Sequence, residues 1–396
     1  MMQTRSGWRL RLWLVFLALV VVWGGWGYGR QVRHGLAVTG MSDQITWGLY
    51  IGNFTFLVGL AAAAVVLLIM AHLFQYAGMQ AVVLLGEAMA VTAVTMSLMF
   101  VLADLGQPWR FWHALPFVGT PNFPASIMAW DMVVLVLYLL ASLGLGVRLL
   151  KKDPRQPTKS TPGWFSLAWI GLVLLLGLSI HTVTAFLLAA NPARPLWHSA
   201  ILAPHFLASA LASGSALLIL LLQGLQKYPL CTDLAAVRTA LTRIMLLALL
   251  VDLFFLGSEL FVQFYRPTGE SVTLQGLFFT QNSFFTAWIR LAWGGILLAT
   301  LLLLVPGWRQ RPSILILAAS LTCLGVWMEK GLGLVVPGFI PTPLGEVAGY
   351  VPTRTEIQVS VGIWAGGAFL FTILVRMVMR VANGTSQDKP AAQAWN

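Results

Sequence analysis

Two acids that are seven residues apart, Asp252 and Glu259, stand in one long apolar stretch and could pass protons between them. Seven residues make about two turns of an α-helix, so both side chains would lie on one face. Stacked acids inside a membrane span favour a proton relay; the alternative is two protonated acids with separate hydrogen bonds. Arg290, in the stretch FFTAWIRLAW, is the expected counter-charge, because an unpaired buried arginine costs more than a paired one.

A second pair of opposite charges, Asp104 and Arg110, flanks a Gly-Gln-Pro turn in the stretch ADLGQPWRFWH. One interpretation is an ion pair that closes a loop at the membrane surface. The other is a polar mouth, in which Asp104 accepts a proton and Arg110 fixes a headgroup or a neighbouring carboxylate. Asp131 lies too far inside its apolar stretch to be solvated at the membrane surface, so we expect its side chain to face the inside of a helix bundle.

Two histidines, His181 and His205, stand on consecutive apolar stretches at similar depth. They could be the axial ligands of a haem, but an electron path across the bilayer through b-type haems needs more than one such pair. The alternative is two hydrogen-bonded packing residues. Cys231 and Cys323 are far apart and form no CxxC, which argues against an iron–sulfur cluster or a structural zinc. We therefore expect neither a metal nor a redox cofactor bound in this chain.

Trp47, Tyr50 and Asn53 follow one another at intervals of three residues, which places them close to one helical face. Aromatic rings beside an amide would suit a quinone, with stacking and one hydrogen bond to a carbonyl. They would equally suit two aromatic residues at the membrane surface and an amide that packs helices together. No nucleotide-binding loop, HExxH or Ser/His/Asp set occurs, so the chemistry of soluble enzymes is disfavoured.

The elements that position these residues are those of a polytopic membrane protein. Of the 396 residues, 58% are hydrophobic and only 9% are charged, which exceeds the apolar content that a soluble core needs. Stretches of about 20 apolar residues recur ten times, and they must be helical because lipid cannot hydrogen-bond an open backbone. The predicted spans are approximately residues 10–28, 47–71, 81–103, 125–148, 165–189, 200–224, 242–264, 284–305, 314–335 and 358–380.

The basic residues predict the orientation of these spans. The net charge of +11 sits in short links, where it sets membrane orientation rather than binding nucleic acid. If the N-terminus lies inside, most of the 24 Lys and Arg residues fall on the inner side of the membrane. We therefore expect the chain in the inner membrane of the cell, with both termini in the cytoplasm. The first apolar run ends in WGGWGYGR, whose bulky residues favour a retained helix over a cleaved signal peptide.

The acids show the opposite distribution. Most of the 13 Asp and Glu residues lie at mid-depth or on the outer side, so any chemistry is expected near the outer face. Glu87 is an exception near the inner end of its span. It could start a proton path from the inside or simply extend its carboxyl group to the membrane surface.

Several of these segments resemble a known family. WGLYIGNFTFLVGLAAAA, ADLGQPWRFWH and MAWDMVVLVLYL are similar to the NrfD/PsrC membrane subunits of polysulfide and nitrite reductases, whose most recognisable signature is DLG-x-P-x-R. SIHTVTAFLLAANPARPLWHSAILAPHFLASALASGSAL and MEKGLGLVVPGFIPTPLGE more specifically resemble DsrP, the quinone-interacting subunit of the DsrMKJOP complex. The resemblance runs from about residue 40 to 380.

This resemblance implies an all-α integral membrane protein of about ten helices, with two four-helix bundles plus extra helices. The chain would form one polytopic domain of 396 residues. Its parts would be an N-terminal helix and link (10–40), a first bundle region (41–190), a second (200–335), and a last helix and tail (336–396). The resemblance also implies no haem and a quinone site near the outer face.

Electrons would pass between menaquinone or ubiquinone and an extracytoplasmic iron–sulfur subunit that is similar to DsrO. A multihaem cytochrome c similar to DsrJ, and subunits similar to DsrM and DsrK, are further expected partners. By position, Asp104 and Arg110 are the acid and base of the family signature, and Asn53 falls where the family has polar quinone-site residues. Gln107 departs from the many relatives that have arginine there, which weakens any inference about partner docking at this mouth.

The residue patterns and the resemblance together predict a quinone-interacting subunit. Two rival interpretations are an ion-translocating transporter, which would need helices broken at mid-depth, and a structural anchor; the spans read as continuous helices. The residues expected to bind the quinone are Trp47, Tyr50, Asn53, Arg110, His205 and Arg290. The residues expected to exchange or carry protons are Asp104, Asp131, His181, Asp252 and Glu259.

Overall fold

The computed structural model describes residues 3–72, 79–114, 118–151, 164–226, 233–265, 269–280, 284–342 and 347–384, and these residues contain helices and no strand. The all-α prediction is confirmed. The helices are α1 (Gln3–His34), α2 (Leu49–His72), α3 (Gln80–Asp104), α4 (Ile127–Lys151), α5 (Trp164–Ala189), α6 (Leu202–Gly224), α7 (Leu234–Tyr265), α8 (Gly269–Gln275), α9 (Phe284–Leu304), α10 (Pro306–Arg309), α11 (Pro312–Lys330), α12 (Leu332–Val335) and α13 (Arg354–Gly384).

Ten helices within the described ranges are long and apolar enough to cross a membrane, which confirms the ten predicted spans. Several continue past the apolar stretch that predicted them. For example, α7 starts at Leu234 and includes Arg238 and Arg243, and α1 continues to His34. Polar residues at the ends of a span remain helical because the backbone of the helix satisfies its own hydrogen bonds in the headgroup region as well. The cytoplasmic location of the termini stays a prediction.

The prediction of continuous spans is wrong for the ninth span, residues 314–335. α11 ends at Lys330, Gly331 interrupts the helix, and the chain continues as the single turn α12 and a 3₁₀ turn at Pro337–Phe339. Glycine is needed at this interruption, because a Cβ on Gly331 would collide with the Trp327 carbonyl. The hydropathy of the stretch does not reveal the interruption, because the residues on both sides of it are apolar.

The spans pack in two groups of four. α2, α3, α4 and α5 contact one another in one group, and α6, α7, α9 and α11 in the other. α2 also packs against α6 and α11, so it belongs to the contact surface between the groups. α13 covers α3 and is itself covered by α1. Because the ends of α3, α5, α7 and α11 and the starts of α2, α4, α6 and α13 point the same way, residues near these ends lie on one side of the molecule.

The contact of α1 with α13 depends on two glycines. A Cβ on Gly24 would collide with the Cα of Gly362, so the two backbones approach as closely as helices can. In lipid the hydrophobic effect does not drive helices together, so transmembrane helices commonly associate through small residues that let their backbones pack closely. Next to the crossing, Gln358 Nε2 donates to the Trp23 carbonyl at 2.6 Å.

We expect Gly24→Val to destabilise the association of α1 with α13, whereas Gly25→Val should not. Gly25 is the next residue of the same helix, so the two substitutions change helix propensity by similar amounts. They differ in packing, because nothing lies within 4 Å of the Cβ position of Gly25. Overpacking at Gly24 should cost about 1–3 kcal/mol. The midpoint of thermal unfolding in detergent is the measurement, and equal midpoints for the two variants would contradict the packing role.

Candidate functional site

A cavity of about 750 Å³ lies among α2, α3, α4 and the turn that follows α3. Its walls are mostly apolar, with Ile51 and Phe54 from α2, Leu98 and Leu102 from α3, and Val136 from α4. The cavity lies at the end of α3 and the beginnings of α2 and α4, so that the loops of this side of the molecule form its mouth. Its size is within the range of pockets that hold small-molecule ligands, about 300–1,000 Å³.

The polar lining of this cavity includes three of the predicted site residues. Asp104 and Asp131 line it from α3 and α4, and Arg110 lines it from the 3₁₀ turn Pro108–Ala114. Asp131 is buried and accepts a hydrogen bond from the Thr184 hydroxyl of α5 at 2.6 Å. Oδ1 of Asp104 is buried and has no hydrogen-bond partner within the described part of the chain. One carboxylate of the cavity is therefore fixed by a hydroxyl, and the other has an oxygen available for a ligand.

Asp104 and Arg110 do not form the ion pair of the first interpretation. The ion pairs found within the described residues all lie in the second group of helices, around His205 and Lys330. Arg110 is instead exposed at the mouth, next to the exposed rings of Trp109 and Phe111. The geometry agrees with the second interpretation, a polar mouth.

Of the three predicted quinone-site residues Trp47, Tyr50 and Asn53, only Trp47 lines the cavity. The Tyr50 hydroxyl donates to Gln31 Oε1 of α1 at 2.6 Å. Asn53 is buried, and its Oδ1 accepts hydrogen bonds from Nε1 of Trp327 and Nε1 of Trp364, both at 3.0 Å. The Asn53 side chain thus joins α2 to α11 and α13, as the helix-packing alternative expected.

His181 does not line the cavity, and its ring faces two backbone carbonyl oxygens. Its ring is buried, with Nδ1 at 2.8 Å from the Gly177 oxygen and Nε2 at 3.4 Å from the Gly59 oxygen of α2. A neutral imidazole can donate to only one of these two acceptors. The described contacts therefore place His181 at the packing surface of α5 and α2.

His205 forms a second site with three carboxylates, from α7 and α11. Its Nδ1 is 3.0 Å from Oε2 of Glu259, and its Nε2 is 3.2 Å from Oδ1 of Asp252 and 3.5 Å from Oε1 of Glu329. The Lys330 ammonium is 3.4 Å from the same oxygen of Glu329. We call these five residues the His205 cluster. Asp252 and Glu259 do share one helical face, and that face points at an imidazole.

The counter-charge of these acids differs from the one expected. Arg290 is exposed and donates to the Phe279 carbonyl of the π-helical turn Gly276–Thr280. The cation beside the acids is Lys330, which follows Glu329 at the end of α11 and is not among the residues that the sequence analysis predicted for a site. The available signal was the pair itself, since two adjacent charges at the end of an apolar span are unusual in a chain with 9% charged residues.

A further buried acid, Glu356 at the start of α13, fixes the loops next to the start of α2. Its Oε2 accepts hydrogen bonds from the backbone N–H of Gly40 at 2.7 Å and of Thr353 at 2.9 Å. Its Oε1 accepts the Tyr350 hydroxyl at 2.7 Å, and that hydroxyl accepts the first N–H of α2, from Leu49, at 2.7 Å. Burial, and then the Glu356 charge, raise the pKa of Tyr350, so the phenol stays a donor. Glu87 is also buried, in α3, and does not extend to the surface.

Comparisons with known proteins show which proteins this chain is similar to. The family model described as polysulphide reductase, NrfD, matches residues 37–340. The chain is 27% identical to a "Putative dimethyl sulfoxide reductase membrane subunit" of Halobacterium salinarum, over 91% of the chain and 89% of that relative. It is 24% identical to a selenate reductase subunit of Mesobacillus selenatarsenatis, over 93% and 94% of the two chains. It is 22% identical to the Hdr-like menaquinol oxidoreductase integral membrane subunit of Archaeoglobus fulgidus, over 92% of each.

We expect Glu356→Ala to destabilise the protein by about 2 kcal/mol or more, because it leaves buried donors without an acceptor. Asp43→Ala is the matched control, since Asp43 is an exposed acid in the link between α1 and α2. Thermal unfolding in detergent compares the two variants. If both unfold at the wild-type temperature, Glu356 does not stabilise these loops.

Proposed function

Because the chain belongs to the polysulphide reductase NrfD family, we propose that it is the quinone-interacting membrane subunit of a redox complex. In this proposal it exchanges electrons between menaquinone or ubiquinone and an extracytoplasmic iron–sulfur subunit. The names of two relatives support a quinone: the Hdr-like menaquinol oxidoreductase subunit and the menaquinone reductase integral membrane subunit of Nitratidesulfovibrio vulgaris. The observation that carries the proposal is the apolar cavity with carboxylates at one end.

The cavity suits a lipophilic ring for two reasons. Its walls are apolar, so a ring that leaves the lipid loses no hydration and gains contacts with Phe54 and Leu98. Its rim also includes Met99 and Met128, which are 42% and 54% exposed on the apolar surface of α3 and α4. A carrier with a long hydrocarbon tail can therefore enter from the bilayer and leave its tail there.

The two carboxyl groups in the cavity suit the two protons of quinone reduction. Asp104 offers a buried oxygen without a partner in the described part of the chain, so it is placed to give a proton to, or take one from, a carbonyl oxygen of the ring. Asp131 would carry the second proton, with the Thr184 hydroxyl orienting its carboxyl group. Arg110 at the mouth would orient the ring or the carboxylates by its positive charge.

In this proposal electrons leave the quinone through a partner, because the two cysteines are far apart and form no CxxC of the kind that binds an iron–sulfur cluster. The turn Pro108–Ala114 supports partner docking directly over the cavity. Trp109, Phe111 and Trp112 are 76%, 52% and 42% exposed there. Exposed aromatic rings around an arginine are the residues that protein interfaces favour. An iron–sulfur subunit like DsrO, with a cytochrome like DsrJ beyond it, would occupy this face, with DsrM- and DsrK-like subunits as further partners.

Proton translocation is a second candidate activity, coupled to the first. The His205 cluster is buried, ionisable and next to the helix interruption at Gly331, a feature that ion-translocating proteins share. α2 contacts both sites, because the Thr55 hydroxyl donates to the Lys330 carbonyl at 2.7 Å while Ile51 and Phe54 line the cavity. In this activity Asp252, Glu259 and His205 carry the proton.

Asp104→Asn should lower quinol oxidation by the assembled complex at least about 100-fold, because an amide cannot accept the proton. The substitution keeps size and shape, so quinone bound to the purified complex should stay near the wild-type amount. Met99→Trp fills the cavity and should reduce that amount instead. Asp43→Asn, on an exposed acid, is the control for both measurements. Wild-type turnover in Asp104→Asn would overturn the proposal and favour a structural anchor.

Asp252→Asn should abolish proton translocation while leaving quinone bound. The variant removes one acid of the His205 cluster and changes nothing that lines the cavity. Protons released per quinol oxidised are measured in proteoliposomes that contain the complex. An unchanged ratio would exclude the His205 cluster from the proton path.

A further inference from the structure

We propose that the His205 cluster binds one divalent transition-metal ion of the zinc type, with Nε2 of His205, Asp252 and Glu329 as its ligands. The proposal goes beyond quinone chemistry and does not depend on it. It also differs from the expectation drawn from the sequence, which found no metal-binding spacing because the three ligands come from α6, α7 and α11.

The first argument is the proton on the imidazole. Nδ1 of His205 faces Oε2 of Glu259 at 3.0 Å, and in the tautomer with its hydrogen on Nδ1 the ring donates to this carboxylate. In the neutral ring the other nitrogen, Nε2, then carries a lone pair. That lone pair faces Oδ1 of Asp252 and Oε1 of Glu329 at 3.2 and 3.5 Å. Three acceptors that face one another repel, so a hydrogen or a cation is needed between them.

The second argument is distance. A tetrahedral zinc site has ligand bonds of about 2.0–2.2 Å, which places its ligand atoms roughly 3.3–3.6 Å apart. The distances from Nε2 to the two carboxylate oxygens, 3.2 and 3.5 Å, are close to this range. All three candidate ligand atoms lie within 4.8 Å of one another. One nitrogen and two oxygens would leave a fourth position for water.

The third argument is hydrogen bonding. Nε2 of His205, both carboxylate oxygens of Asp252 and Oε2 of Glu329 are buried atoms without a hydrogen-bond partner in the described part of the chain. Buried polar atoms in native proteins are almost always satisfied. Two of these atoms, Nε2 of His205 and Oδ1 of Asp252, are candidate ligands, so an ion shared between them would satisfy both.

The fourth argument is charge. Asp252, Glu259 and Glu329 contribute three negative charges when ionised, and Lys330 offsets one of them through its contact with Glu329. With a neutral imidazole, two negative charges remain in a buried site, and one divalent cation neutralises them. Glu259 would stay outside the ligand set. It would hold the ring as the carboxylate partner that a metal-bound histidine usually has.

The experiment measures zinc binding to the full-length chain in nanodiscs, by competition with a chromophoric chelator. We expect one tight site per chain, with affinity reduced at least about 100-fold in His205→Ala and in the isosteric Asp252→Asn. Glu259→Gln should weaken binding about 10–100-fold, as loss of a histidine's carboxylate partner does. Cobalt in the same site should show the visible absorption of a tetrahedral ion, and His205→Ala should not.

His198→Ala is the matched control, because His198 is exposed near the start of α6 and would contribute only to adventitious surface binding. Zinc binding that survives in both cluster variants, that is lost in His198→Ala, or that is absent from the wild type would overturn the proposal. Bound quinone is measured on the same samples. Quinone binding without zinc binding would reject the metal site alone, and zinc binding without quinone binding would reject the proposed function alone.

Discussion

Polar groups that a membrane helix buries must find their partners in the protein, because the surrounding lipid offers none. Each ionisable side chain of the spans is therefore a constraint on which helices can be neighbours. His205 requires α6, α7 and α11 to meet, because its two ring nitrogens face carboxylates of the other two helices. Asp131 requires α4 to meet α5 at Thr184. The apolar residues of the two groups of helices fill the space that these polar contacts define.

α2 is the helix on which both sites depend. One part of its surface, with Ile51 and Phe54, forms a wall of the cavity beside Trp47. Its other contacts, through Asn53 to Trp327 and through Thr55 to the Lys330 carbonyl, hold it to α11 next to the His205 cluster. A ligand that displaced α2 would therefore change the surroundings of both sites. Through α2, the cavity in the first group of helices is linked to the His205 cluster in the second.

The sequence predicts the spans well and the sites only in part, for a physical reason. Ten helices follow from apolar length, because a bilayer requires about 20 such residues for each. Helical spacing also places Asp252 and Glu259 on one face, and the structure shows them so. Spacing within one helix, however, contains no information about the helix opposite. The pairing of acids with Lys330 rather than Arg290 depends on how α7, α9 and α11 pack. The interruption at Gly331 was missed because both sides of it are equally apolar.

The acids of the cavity and those of the His205 cluster lie in different surroundings. In the cavity, Asp104 and Asp131 stand on different helices and line a mostly apolar space. In the His205 cluster, three carboxylates surround one imidazole, and at short distance their charges cannot all be tolerated without a cation. The cavity and the cluster therefore differ in their surroundings, because the first faces an apolar space and the second already contains the ammonium of Lys330.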